Sequence, residues 1–289
     1  MIQIYFPVKK SFREGEGLVY EKAVKQKNKQ EKDILELRPG YIYYFQGKNG
    51  IGKTTLLNII SFLTDFDGST YINGDKIVIG QTDESVKKTD SKNEIRSQYF
   101  SYIFQDPHII NIYTIKENLR ILNPNIDIED DLGFISDKIS ELDIEEKEKD
   151  YLRDKLNKII SEKDNSPFYL SGGEKQLLSF IRAMIKPSNV IFADEPWASM
   201  DIMLKEFIEE ELYKYLTNDD IFKQIRNKTK KNKLTQKNTV VGIAHKFHHE
   251  KEDDRYGNKD VKWHHKISIK KLNSRRKNHH LNLTRYATN

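Results

Sequence analysis

YIYYFQGKNGIGKTTLLNII, residues 41–60, decides the fold. It opens on a continuous apolar and aromatic run, introduced by Pro39 and Gly40 and closed by Gly47, which is the pattern of a strand buried on both faces. TTLLNIISFL, over 54–63, then reads as a helix. Between the two, GKNGIGKT fits G-x-x-x-x-G-K-[ST] in the context where that spacing has a mechanism, after a strand and before a helix. Gly47, Gly50 and Gly52 let the backbone curl so that its N–H groups converge on phosphate oxygens, and the positive end of the helix adds to the attraction. The expected nucleotide grip is therefore Gly47, Lys48, Asn49, Gly50, Ile51, Gly52, Lys53, Thr54 and Thr55. Lys53 would reach the β and γ phosphates, and the Thr54 hydroxyl would ligate Mg²⁺.

VIFADE, residues 190–195, supplies the complementary acids. An apolar strand ending in Asp194 delivers a carboxylate that can hold the metal through water, and Glu195, one residue on, can orient and deprotonate an attacking water. Two acids with distinct tasks favour hydrolysis over mere binding. TVVGIA (239–244) reads as a third buried strand, and LLSFIRAMIK (177–186), stopped by Pro187, as the helix before the second. Buried strands separated by helical patterns predict a parallel sheet in an α/β domain. From Gln105 to Leu170 the apolar spacing turns helical and predicts a separate helical subdomain, with Thr114 and Glu117 as a capping box before IKENLRIL.

The 289 residues, 37% of them hydrophobic and 32% charged, suffice for a real core. No window approaches the roughly 18 to 20 apolar residues that span a bilayer. Zero cysteines exclude disulfides, thiolate metal sites and cysteine nucleophiles, and the start MIQIYFPVKK lacks the apolar run of a signal peptide, so a cytoplasmic location is expected. The net charge of +5 hides two opposite patches: residues 221–238 carry seven Lys/Arg and no acid, while 127–150 carry eleven Asp/Glu against three Lys. The basic run, within a segment 217–238 that reads as an inserted loop, is expected to be a solvated face. Residues 271–289 read as a basic polar tail.

YLSGGEKQ, residues 169–176, poses a puzzle. Ser171 and Glu174 fit a capping box, yet Gly172 and Gly173 weaken the first turn of the helix they open, by up to about 1 kcal/mol each. Ser171 and the bare amides of Gly172 and Gly173 make an anion site at a helix start, but those three residues bring no lysine and no metal ligand, hence half a site.

GKNGIGKTT, YIFQDP, LSGGEKQ, IFADEP, ASMD and GIAHK, in that order between about residues 40 and 246, resemble the motif series of the ATP-binding cassette (ABC) ATPases. The chain departs from that pattern at Trp197, where the family carries a small residue. The resemblance implies a P-loop NTPase of α/β class with a RecA-like parallel central sheet, an N-terminal antiparallel β subdomain and an inserted α-helical subdomain. It implies that Gln105 contacts the metal and senses the γ phosphate, that His245 contacts that phosphate, and that Asp201 communicates with the opposite subunit. It implies too that Ser171, Gly172, Gly173 and Glu174 grip ATP held by a second cassette packed head to tail. An aromatic upstream of the phosphate loop would stack on adenine; Phe12 is the candidate, with Tyr20 and Tyr5 as competitors.

On this resemblance the expected organisation is a first core part over 1–104, a helical subdomain over 105–186, a second core part over 187–270 and the tail. The expected function is the ATP-hydrolysing subunit of an ABC transporter, using ATP and Mg²⁺. It would work as a homodimer or heterodimer of cassettes, peripheral on the cytoplasmic face of the membrane, against separately encoded transmembrane subunits. The competing reading is a soluble ABC ATPase acting on nucleic acid or ribosomes. It fits less well, because one cassette is present and no heptads lie between Thr54 and Ser171.

Overall fold

Residues 41–46 form a strand whose inner residues, Ile42 to Phe45, are all buried, as a strand covered on both faces requires. The protein is seen in a computed structural model that describes residues 2–11, 17–22, 34–64, 67–72, 75–79, 89–196, 200–228, 238–243, 264–272 and 278–285. By contacts the chain divides into two compact units. The first comprises Met1–Phe100, Thr239–Lys246 and Asp253–Asn289, and the second Ser101–Asn238 and Phe247–Glu252.

The first unit starts with β1 (Ile2–Ser11), β2 (Gly17–Lys22), β3 (Ile34–Leu37) and β4 (Tyr41–Gln46). After the phosphate loop come α1 (Lys53–Ile60), β5 (Asp67–Ile72), β6 (Asp75–Ile79) and α2 (Thr89–Tyr99). β7 (Phe100–Ile103) leads into the second unit, which holds α3 (Ile115–Arg120), α4 (Ile128–Ser140), α5 (Glu146–Ser161) and α6 (Gly172–Ile185). It continues through β8 (Val190–Asp194), α7 (Ile202–Thr217) and α8 (Lys223–Asn227), before the chain returns to the first unit for β9 (Thr239–Ile243), β10 (His264–Leu272) and β11 (Asn278–Arg285).

In the first unit the strands run in the order β6-β5-β1-β2-β11-β10-β4-β9, with β3 also on β1. β4 is parallel to both β9 and β10, which is the expected parallel sheet under the phosphate loop. β1 is antiparallel to β2, β3 and β5, and β5 to β6, which gives the antiparallel N-terminal part that was expected. The apolar residues of α1, Leu56, Leu57, Ile59 and Ile60, are buried. The helix stops at Ile60, short of the expected residue 63, because Phe62 takes a left-handed φ of 60° that buries its ring against Phe100, and Arg96 Nη1 holds its carbonyl at 3.0 Å.

The second unit is built on α6, whose residues Leu177 to Ile181 and Ala183 to Ile185 are all buried. Asn123 ties its end to α8 by donating to both Ile185 O and Ile225 O at 3.1 Å. Stacked Tyr102 and Phe192 rings join β7 to β8, and Ser101 donates to Ser188, just before β8, at 2.8 Å.

Two sequence expectations are corrected. The basic run is not simply a solvated loop: Arg226 is 1% exposed, pairs with the buried Asp220 and donates to Met184 O at 2.8 Å. Lys223 pairs with Asp219 and Lys228 with Asp131, while residues 229–237 lie outside the described ones. The sequence shows charges but not the acids that α4 and the end of α7 bring to them. Nor is 271–289 merely a tail, since β11 lies between β10 and β2 in the sheet. Leu281 and Leu283, at a spacing of two, were the only signal of a strand.

Candidate functional site

The phosphate loop leaves the buried β4 and turns into α1 through two glycines in the left-handed region, Gly50 at φ 72° and Gly52 at φ 97°. A side chain at either would be strained, which is why the spacing demands glycine. Gly52 is the N-cap of α1 and has no side chain of its own with which to cap the helix. Lys53, 8% exposed, folds its ammonium back onto the loop, donating to Gly47 O at 2.9 Å and Lys48 O at 3.2 Å. These carbonyls hold the ammonium at the loop itself, at the start of the helix where an anion would be bound. Thr54, next along, is exposed.

Asp194 closes β8, and Glu195 follows with φ 43°, a left-handed conformation that a non-glycine residue adopts at a cost. Both are half-buried, and the next residue, Pro196, is buried. The strained conformation falls on the second acid, directly where the strand ends.

Gln105 is exposed just past β7, and α6 fixes its backbone: Gln176 Nε2 donates to Gln105 O at 2.6 Å from a fully buried side chain. Arg182 Nη1 donates to His108 O at 2.7 Å, and Asn118 brackets the loop through Ile110 N and Ile110 O, each at 2.9 Å. Burial pushes the Arg182 guanidinium below its ordinary range, and burial likewise lowers Lys186 to about 8. Sequence reasoning missed this scaffold. Its signal was a polar residue, Gln176, in the apolar stripe of α6.

The expected capping box forms at Ser171, whose N–H donates to Glu174 Oε2 at 2.8 Å while its Oγ accepts from Glu174 N at 3.3 Å. Ser171 and Gly172 are exposed. A Cβ built on Gly172 would meet nothing within 4 Å, so no packing among the described residues calls for glycine there. A Cβ on Gly173 would meet Lys155 Nζ at 3.7 Å, so α5 brings a cation to this turn, while the turn's own Lys175 donates to Phe168 O at 3.3 Å.

Asp201 is the N-cap of α7, its Oδ1 accepting from Leu204 N at 3.0 Å and its Oδ2 from the Tyr151 hydroxyl. Partial burial pushes its carboxyl up, but the Tyr151 hydroxyl, the backbone N–H groups and the Lys155 ammonium outweigh this and hold it below its ordinary range. Burial, then the bond to Asp201, raises the Tyr151 phenol. The second unit thus gathers Ser171, Gly173, Lys155, Tyr151 and Asp201, of which Lys155 and Tyr151 carried no sequence signal beyond helical spacing. Phe12, His245 and Trp197 lie outside the described residues.

A family model described as "ABC transporter" matches residues 31–198. The chain is 32% identical over 171 residues to a Staphylococcus haemolyticus protein named as the hemin import ATP-binding protein HrtA, covering 58% of this chain and 66% of that one. It is 29% identical over 187 residues to the Staphylococcus aureus (strain MRSA252) protein of the same name, covering 65% and 73%. The aligned stretch thus spans about two thirds of the length of these relatives. Among solved structures the fold is similar to a dimeric structure of MJ0796, a bacterial ABC transporter cassette, with TM-score 0.54 and 20% identity over 93% of this chain and 94% of that one. A dimeric post-hydrolysis state of the same cassette, bound to ADP and Pi, gives 0.50 and 20% over 85% and 88%.

Proposed function

The chain belongs to the ABC transporter family as its ATP-hydrolysing subunit, and from that premise we propose that it works in a cassette dimer whose ATP-driven closure moves membrane subunits encoded separately. The observation that carries the two-subunit reading is Gly172. It is exposed, and nothing among the described residues fills the space its missing side chain leaves, so no packing among them accounts for the bare backbone, which supports the approach of a ligand or partner there. Phe168 and Tyr169, just before Ser171, are 69% and 76% exposed, and Ile202, just after Asp201, is 58% exposed. Apolar side chains that flank both segments support a protein surface meeting them.

In this reading Lys53 and the amides of 47–55 bind the phosphates of the chain's own ATP, and Ser171, Gly172, Gly173 and Glu174 receive the γ phosphate of the partner's. Glu195 positions and deprotonates the water, with His245 as the second contact to the γ phosphate and Asp201 addressing the partner. Thr54, Gln105 and Asp194 would hold Mg²⁺, since a hydroxyl, an amide and a carboxylate all offer the oxygen donors that such an ion takes. When bound, that ion neutralises charge on the phosphates. Phe12 is the proposed adenine platform. The subunit would sit on the cytoplasmic face of the membrane. Arg226, 1% exposed and paired with Asp220, is withdrawn from any nucleic-acid surface, which takes one of the seven basic residues in 221–238 out of that reading.

Purified Glu195→Gln protein given ATP and Mg²⁺ is expected to run as a stable dimer in size-exclusion chromatography with light scattering, and to hydrolyse ATP at least about a hundredfold more slowly than wild type. A monomer turning over at the wild-type rate would sink both the base assignment and the ATP-clamped dimer.

A further inference from the structure

Helix α5 touches both segments that the proposed partner subunit would meet. The Tyr151 hydroxyl donates to Asp201 Oδ2 while Leu204 N donates to Oδ1, so both oxygens of an exposed carboxylate are held. One turn on, Lys155 stands over the Tyr151 ring with Nζ 4.8 Å from its centroid, on the usual i, i+4 spacing. The same ammonium lies 3.7 Å from where a Cβ of Gly173 would stand. A helix cap needs only the bond from Leu204 N, since an N-cap aspartate satisfies one orphan donor by itself. The bond from Tyr151 adds something capping does not require: it fixes the direction in which the carboxylate faces.

We propose that Tyr151 is a positioning residue for ATP hydrolysis: its hydroxyl fixes Asp201, and Lys155 stacked on its ring ties that carboxylate to the Ser171–Glu174 turn, so that both meet the partner subunit as one preformed surface. The proposal rests on the reading above that these segments serve the partner's nucleotide. A surface set before closure loses less side-chain freedom during it. Tyr151 therefore acts on the closed, hydrolysing state and leaves ATP binding by the single subunit alone.

The test is a double-mutant cycle on the full chain. Tyr151→Phe keeps the ring under Lys155 and removes only the hydroxyl, while Asp201→Asn keeps a good N-cap and removes the carboxylate. Each is expected to lower kcat about tenfold, with the thermal midpoint and the affinity of the monomer for a fluorescent ATP analogue unchanged, and the double variant to fall no further than either single one. Additive losses, a kcat loss matched by a fall in thermal midpoint, or a Tyr151→Phe protein of wild-type kcat beside a crippled Asp201→Asn each overturn the proposal and leave the role of Asp201 standing. Wild-type kcat in Asp201→Asn overturns the underlying reading instead.

Discussion

At Gly172 two demands conflict within one residue. The helix would gain from alanine, and nothing within 4 Å of a Cβ stands in the way. Gly172→Ala is therefore expected to raise unfolding stability by a few tenths to about 1 kcal/mol, read by chemical denaturation. ATPase activity should fall in the same protein, because the added methyl stands where the partner's phosphate must approach bare backbone. A variant both more stable and fully active would return the glycine to chance. Glu195 shows the same tension in another form, since a left-handed non-glycine residue is an expense that its turn after Asp194 must justify. The phosphate loop, Asp194 with Glu195, and the Ser171 turn were legible in the sequence because each is local: type and spacing carry the chemistry. Tyr151 and Lys155 were not legible, because their meaning depends on which helix α5 lies against.

Among the elements, α7 carries an unusual load, with Glu209 and Glu211 both fully buried. Glu211 accepts from Ile221 N at 2.9 Å and from Lys214 Nζ at 3.2 Å, yet burial pushes its carboxyl up to about 7. A carboxyl raised in the folded state takes up a proton that the unfolded chain has already lost, so its contribution to stability is lost as pH rises from the ordinary carboxylate value of 4.5 to about 7. Glu211→Gln is expected to be near neutral in denaturation experiments at pH 5 and stabilising at pH 8, by an amount on the order of 3 kcal/mol at most. An equal effect at both pH values would refute the buried, protonated carboxyl. The same end of α7 explains why the basic run misled. Asp220 precedes the run in sequence and pairs with Arg226 inside the core, a partnership that charge counting cannot see. By contrast β4, β8 and β9 were legible as elements, because strands buried on both faces are written as unbroken apolar runs.

For the whole molecule, the placement of β11 between β2 and β10 governs the order in which the chain can assemble. Val19 pairs with Asn278 and Tyr41 with Thr239, so the sheet of the first unit joins residues from opposite ends of the sequence. In the second unit α4 packs on its sequence neighbour α5, and α5 on α6. Loop-closure entropy must be overcome before such distant pairings repay it, at about 0.6 kcal/mol for each doubling of the loop, and non-local strand pairing is slow for that reason. In pulsed hydrogen exchange during refolding, amides of α4, α5 and α6 are expected to gain protection before those of β2, β4 and β11. Simultaneous protection would mean that the two units fold as one. Until the last strands arrive, β2 and β4 present unpaired edges, so the sheet that carries the phosphate loop is also the part of this chain most exposed to aggregation while it folds.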